Sequence, residues 1–364
     1  MYRYSNRASA LAFSVALGLL ATPALSKSTD EDATTYQINA AHDGHVDFAA
    51  GFNAPLVRAW TYDTGDDSGS YPVIGGGMLF FVGNGNDAFA FDLASGSRVW
   101  EHLLTGGNSP AYADGTIVFA STSGAVTALK ARTGKQRWSA SLNDNGGLSY
   151  PVAAQGMVFT AGYTLTALDG KTGATNWSKS LSPSSATVTY GDGGLYVGSG
   201  CDYTKYAPNG DLIWSVNGNC SGYEDNVAYF NKHLYVYDYY QNNPILGTKD
   251  GSQTGFFPGS TLPVFYTSNN HSYELVTSNG KIYCLDLKTG NVVWSFQTSG
   301  NYALPIAING HPIVASYSTL YMLDGVSGAP LWSDNVGSEI NYMNAGDGAL
   351  AITTGGKIIV YKPQ

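Results

Sequence analysis

Four aspartates recur at one place in the chain: Asp92, Asp169, Asp286 and Asp324 each stand eight residues before a tryptophan. A set of carboxylates can serve acid–base chemistry or hold a divalent cation. Regular spacing argues for another duty, because an aspartate at a fixed offset can accept backbone N–H bonds and start a turn. The remaining chemistry-bearing residues are scattered. His42, His45, His102, His233, His271 and His311 fall in different segments. His42 and His45, in AAHDGHVD, have a metal-compatible spacing, but a solvated turn in a mobile leader is the expected reading. No metal site is assigned, no Gly-x-Ser-x-Gly elbow occurs, and no catalytic residue emerges.

The elements that carry the aspartates are repeats. LTALDGKTGATNW (165–177) returns as VTALKARTGKQRW ending at Trp138, IYCLDLKTGNVVW at Trp294, LYMLDGVSGAPLW at Trp332 and AFAFDLASGSRVW at Trp100. The tryptophans, Trp60, Trp100, Trp138, Trp177, Trp214, Trp294 and Trp332, follow one another at 40, 38, 39, 37, 80 and 38 residues. The doubled interval marks a unit whose tryptophan is lost, so residues 55–364 hold eight units of about 39 residues. Each reads as four short strands with turn signals between them, which at this period predicts blades of a β-propeller. Gly96, Gly134, Gly173, Gly210, Gly290 and Gly328 stand four residues before the tryptophan position, where a hairpin needs positive φ. The tryptophans then supply apolar surface for docking neighbouring blades. The C-terminal unit lacks a tryptophan strand and PLVRAWTYDTG (55–65) lacks the preceding three strands. The N-terminal strand is therefore expected to complete the last blade and close the ring, which removes sheet edges.

The first 26 residues have the layout of a secretory signal peptide: Arg3 and Arg7, an apolar run from Ala10 to Ala21, and Ala24-Leu25-Ser26 as cleavage site. Residues 27–54 form a leader before the single propeller of residues 55–364. The first cysteine is Cys201, so no lipid is expected at the mature N-terminus, and the protein is expected to be soluble, secreted or periplasmic, with no membrane insertion. The mature charge moves from −9 to about −11, which disfavours nucleic acid and anionic surfaces as partners.

Cys201 falls between the second and third strands of its unit and Cys220 after the fourth, connections that emerge on one face of an up-and-down blade. A disulfide between them is expected, stabilising the fold by roughly 3 kcal/mol. Cys284 replaces the alanine of the ALD segment and reads as a small buried side chain. Tyr71, Tyr150 and Tyr342 begin innermost strands, with Ser109 and Asp225 nearby in register. They are candidates for contacts to a sugar or peptide at the channel mouth, or simply tyrosines closing its rim. The fifth unit breaks its own rules and places Tyr239, Tyr240 and Asn242 in one loop, either for recognition or by drift.

The A-x-D-x-x-T/S-G-x-x-x-W repeat resembles the pyrroloquinoline-quinone-type (PQQ-like) eight-bladed propeller family over residues 55–364. That resemblance implies one of two functional classes: quinoprotein dehydrogenases, which hold the quinone and a calcium ion near the axis, and non-catalytic binding scaffolds, including an outer-membrane assembly factor. Uniform unit lengths leave no room for insertions building a cofactor chamber; a neighbouring cysteine pair and a Cys-x-x-Cys-His haem motif are both missing. The expected function is therefore a non-enzymatic, monomeric binding or scaffold propeller with a protein or glycan partner and no cofactor. A small PQQ- and calcium-dependent alcohol or sugar oxidoreductase is the alternative.

Overall fold

The computed structural model describes residues 32–65, 69–106, 108–144, 147–181, 187–199, 202–218, 226–238, 243–299 and 305–364. Among these residues all regular structure is β, in eight sheets of four antiparallel strands each, one of which gains a short leader strand. Blade 1 shows the pattern: Val73–Gly75 is innermost, followed outward by Met78–Val82, Asp87–Asp92 and Arg98–Leu103. Blades 2 to 7 follow in chain order with innermost strands Asn108–Ala113, Val152–Ala154, Thr187–Gly191, Asn226–Phe230, Val264–Ser268 and Ile306–Ile308. Burial explains the sequence. Neighbouring blades cover both faces of the inner strands, so second strands such as MLFFV and TIVFAS are buried along their whole length. The outermost strand keeps its exposed edge in water, so RVWEHL is mostly charged or half-exposed.

Ring closure is as the two termini require. Leu56–Asp63 pairs antiparallel with Lys357–Pro363, placing Trp60 opposite Val360 in blade 8.

The motif residues act as turn and seam formers. Asp92 Oδ1 accepts from the Ser95 amide at 2.9 Å and from its hydroxyl at 2.8 Å, and Gly96 closes the turn at φ +71°. Asp169, Asp286 and Asp324 bind Thr172, Thr289 and Ser327 in the same way. The hydroxyl bond, then the amide bond, holds each carboxyl below the usual range. Each of Trp60, Trp100, Trp138, Trp177, Trp214 and Trp294 reaches into the next blade. Its indole N–H donates to a turn carbonyl there, as Trp60 does to Leu93 at 3.0 Å and Trp138 to Gly170 at 3.0 Å. Its ring lies over the turn glycine so closely that a Cβ on Gly96 would stand 2.6 Å from Trp60.

The leader departs from expectation. Residues 33–46 thread the inside of the ring. Their backbone carbonyls accept N–H groups from the innermost strands of six blades: Ala33 from Ile74, Thr34 from Tyr112, Ala40 from Tyr190, Ala41 from Tyr229, Asp43 from Phe265, and Gly44 from Ala307. Asn344 of blade 8 donates its side-chain amide to Thr35 O at 2.9 Å, and the Thr35 hydroxyl donates to Pro151 O of blade 3 at 2.9 Å. His45–Val46 adds a parallel strand to blade 7. His42 is thus no solvated residue; it is 2 % exposed. Innermost strands have one unpaired edge facing the axis, and a chain passing there satisfies those donors.

Candidate functional site

At the end of the ring where the innermost strands begin, Tyr71, Tyr150 and Tyr342 come together around a fourth tyrosine from the leader, Tyr36. Tyr36 stacks on Tyr150 with ring centroids 4.6 Å apart and 19° between planes, and meets Tyr71 edge-on at 5.6 Å. Tyr71 lies edge-on to Tyr150 at 5.5 Å and to Tyr342 at 6.3 Å. Tyr71 is only 3 % exposed and donates its hydroxyl to Pro110 O at 2.8 Å, whereas Tyr36, Tyr150 and Tyr342 keep part of their surface in solvent. Burial, followed by the surrounding phenols, raises the pKa of Tyr36, and burial raises that of Tyr71, so neither ionises near neutrality. The cluster offers ring faces and neutral hydroxyls, the surface of a recognition platform. Ser109 lies in Asn108–Ala113, the innermost strand of blade 2.

Beneath Tyr36, His42 meets it edge-on at 6.1 Å. Its Nδ1 is 3.2 Å from the Thr189 hydroxyl, which itself donates to Val227 O at 2.6 Å. That chain assigns the proton to Nδ1 and leaves Nε2 bare, buried and without a partner. Burial pushes the pKa of His42 down to about 4, so the ring is neutral. Asp43, also in the leader, is pushed up by burial while bonds from Asn39 and the His45 amide pull the other way.

A quinone and calcium would lie near the axis in the enzymes that the repeat resembles. Here the chain's own backbone and Tyr36 take that space, and among the described residues no three His, Cys, Asp or Glu side chains converge. The residues present do not fit the pair at that place, and no reaction step is derived through it.

A hollow of about 480 Å³ lies between the outer strands of blades 4 and 5, lined by Tyr203, Asn217, Asp238, Gln253 and Phe256. Phe256 is 55 % exposed there. Tyr239, Tyr240 and Asn242, Asp225, Cys201 and Cys220, and the whole signal segment lie outside the described residues. Cys284 is a buried free thiol bonded to the Tyr266 hydroxyl at 3.2 Å, with burial pushing its pKa up to about 12.

Sequence reasoning missed Tyr36, which precedes the repeats, and Glu274, a buried carboxyl in the second strand of blade 6. Glu274 was open to detection, since SYELV puts a charge where the other units' second strands are mostly apolar.

No curated protein matches the chain in sequence. Among solved structures it is similar to the quinohemoprotein alcohol dehydrogenase of Comamonas testosteroni, at TM-score 0.72 and 13% identity, covering 91% of this chain and 80% of that one. It is similar to BamB of Moraxella catarrhalis at TM-score 0.67 and 14% identity, covering 85% and 100%. The computationally designed protein Ika8 matches at TM-score 0.72 and 13% identity, over 84% and 99%. At such identities the likeness establishes the fold alone. The family model described as outer membrane protein assembly factor BamB matches residues 84–217 and 204–364, which together span most of the propeller. The chain belongs to the outer membrane protein assembly factor BamB family of PQQ-like propellers.

Proposed function

We propose that the protein is an exported, non-enzymatic scaffold that holds a protein partner in the cell envelope. The observation that carries this reading is the leader inside the ring. A propeller whose axis is filled by its own backbone works through its outer surfaces, and the family match points the same way. The contact face of this reading is the one bearing Tyr71, Tyr150 and Tyr342, with Ser109; the sequence adds Asp225 in register and Tyr239, Tyr240 and Asn242 of the fifth unit's loop as further candidates, and a Cys201–Cys220 disulfide would brace the fold. Residues 1–26 serve as the export signal. Affinity capture from the native envelope fraction, with tyrosine-to-alanine changes at Tyr150 and Tyr342, tests it. A partner retained by the wild type and lost from the double variant is expected. Dye-linked alcohol or sugar oxidation after reconstitution with quinone and calcium would replace this reading with the oxidoreductase one, and saturable binding to a glycan array that weakens with Tyr150→Ala would make the partner a sugar.

A further inference from the structure

The seam between blades 5 and 6 differs from its counterparts in three linked ways. The tryptophan position of blade 5 is Gly255, so no indole enters the seam. The turn glycine that would lie beneath it, Gly290, has open space where a Cβ would project. In six other seams the same probe on Gly96, Gly134, Gly173, Gly210, Gly251 or Gly328 runs into a tryptophan. Gly290 is also exposed, whereas Gly173, Gly210, Gly251 and Gly328 are buried.

The floor of this slot is the third difference. In four other seams the indole packs in one cluster with a cross-strand pair of the next blade: Trp60 with Leu79 and Phe91, Trp100 with Ile117 and Leu129, Trp138 with Val158 and Leu168, Trp214 with Leu234 and Leu246. The corresponding pair in blade 6 is Glu274 and Leu285. Glu274 is 7 % exposed, and its Oε1 is buried without a hydrogen-bond partner. Lys205, a buried charge beside Trp214 in the seam between blades 4 and 5, is satisfied by contrast: it donates to Thr248 O at 2.9 Å and lies 5.1 Å over the Tyr196 ring. Glu274 shares its side of the sheet with Leu285 and Phe265, which pack against Tyr235 of blade 5. The carbonyl of Leu287 occupies the position that accepts the indole N–H in five other seams, at Leu93, Ala131, Gly170, Thr248 and Gly325.

The seam therefore lacks an indole: Ile245, opposite Gly255, packs toward Phe265 and Leu285, the space over Gly290 stays open, and the groups the slot offers, Glu274 and the Leu287 carbonyl, are acceptors. We infer that this slot is a docking site for the guanidinium side chain of an arginine presented by a protein partner, with Glu274 as its acceptor. A guanidinium is planar, stacks on aromatic rings, carries five donors and pairs with a carboxylate through two of them. An indole would bring one donor and leave the carboxylate unmet; a neutral apolar side chain would bring none. The inference rests on the reading of the propeller as a protein-binding scaffold, but its test needs no partner.

The probe is Nα-acetyl-arginine amide, with the neutral isostere Nα-acetyl-citrulline amide as control, titrated into the full chain and followed through the amide signals of Gly255 and Gly290. Saturable shifts are expected with the arginine derivative, about tenfold weaker binding with citrulline, and loss of both in Glu274→Gln. Gly255→Trp fills the slot from within and should abolish binding while the rest of the spectrum stays folded; if that variant does not fold, Glu274→Gln alone decides. Absence of saturation, equal binding of citrulline, or unchanged binding in Glu274→Gln overturns the inference. A failed capture from the envelope with intact arginine binding would sink the scaffold reading and leave the slot standing.

Discussion

Replacing Glu274 with leucine, the residue that Leu79 and Leu234 supply at the same row of other blades, should stabilise the fold in a pH-dependent way. Burial, with no compensating partner, pushes the carboxyl from its ordinary 4.5 up to about 7. The native state therefore holds a proton that the unfolded chain releases. Below pH 4.5 both states are protonated and burial costs only the neutral acid's desolvation. Between about 4.5 and 7 stability falls as pH rises, and above 7 the full cost of about 3 kcal/mol is present. Glu274→Leu removes it, so the difference between variant and wild type should grow by about 3 kcal/mol between pH 4.5 and 8. Such a gain raises the melting temperature by about 4 °C in a chain of this size. Urea unfolding followed by tryptophan fluorescence at several pH values measures it. A constant difference across that range would mean that the carboxyl is solvated or paired, and the picture of an unpartnered acid in this seam would fall.

His42 carries the opposite slope. Its pKa of about 4 lies below the ordinary 6.5, so stability is complete above pH 6.5 and declines as pH falls toward 4, by about 3 kcal/mol in total; His42→Gln should flatten that limb in the same urea series, and an unchanged acid limb would refute the burial of the leader. Between pH 4.5 and 6.5 the contributions of His42 and Glu274 oppose each other, so the single variants rather than the wild-type curve reveal either group. Alanine at Gly290 and at Gly328 separates backbone strain from crowding. Both have positive φ, near +70°, costing about 1–2 kcal/mol for a Cβ, but at Gly328 the Cβ also meets the Trp294 ring at 2.5 Å and should cost about 1–3 kcal/mol more. Equal losses in the two variants would show that something fills the slot over Gly290.

The periodic part of this fold was legible because its chemistry is carried by side chains. Asp169, Gly173 and Trp177 each have one physical task in the repeat, and a task repeated at constant spacing is visible without a structure. Even the missing tryptophan at position 255 was visible as a doubled interval. The leader was not legible, for a reason of the same kind. Ala33, Thr34, Ala40, Ala41 and Gly44 bind the ring through main-chain carbonyls, which every residue possesses, so no residue type betrays the contact. Tyr36 and His42 were readable as residues but not as neighbours, since only the path of the chain brings them beneath Tyr71 and Tyr150.

The location of the irregular seam follows from how a ring of repeats distributes its stability. Each blade touches mainly its neighbours, so a change in one seam is felt there and little elsewhere. A tryptophan lost between blades 5 and 6 leaves the indole–glycine locks of Trp60, Trp100, Trp138, Trp177, Trp214 and Trp294 in place. The leader adds a second restraint that bypasses the seam: Ala41 O accepts from Tyr229 of blade 5, and Asp43 O accepts from Phe265 of blade 6, tying the two blades together at the axis. Phe230 and Phe265 stack across the same seam with centroids 4.3 Å apart. The inner end of seam 5–6 is thus held while its outer end stays open, which is the arrangement a recognition slot needs: rigid walls, an uncovered mouth and a charge that the free protein leaves unmet. On this account the cost of burying Glu274 is the free-state side of a contact that an arginine completes, and the gain in stability expected from Glu274→Leu and the loss of arginine binding expected from Glu274→Gln are two measurements of one group.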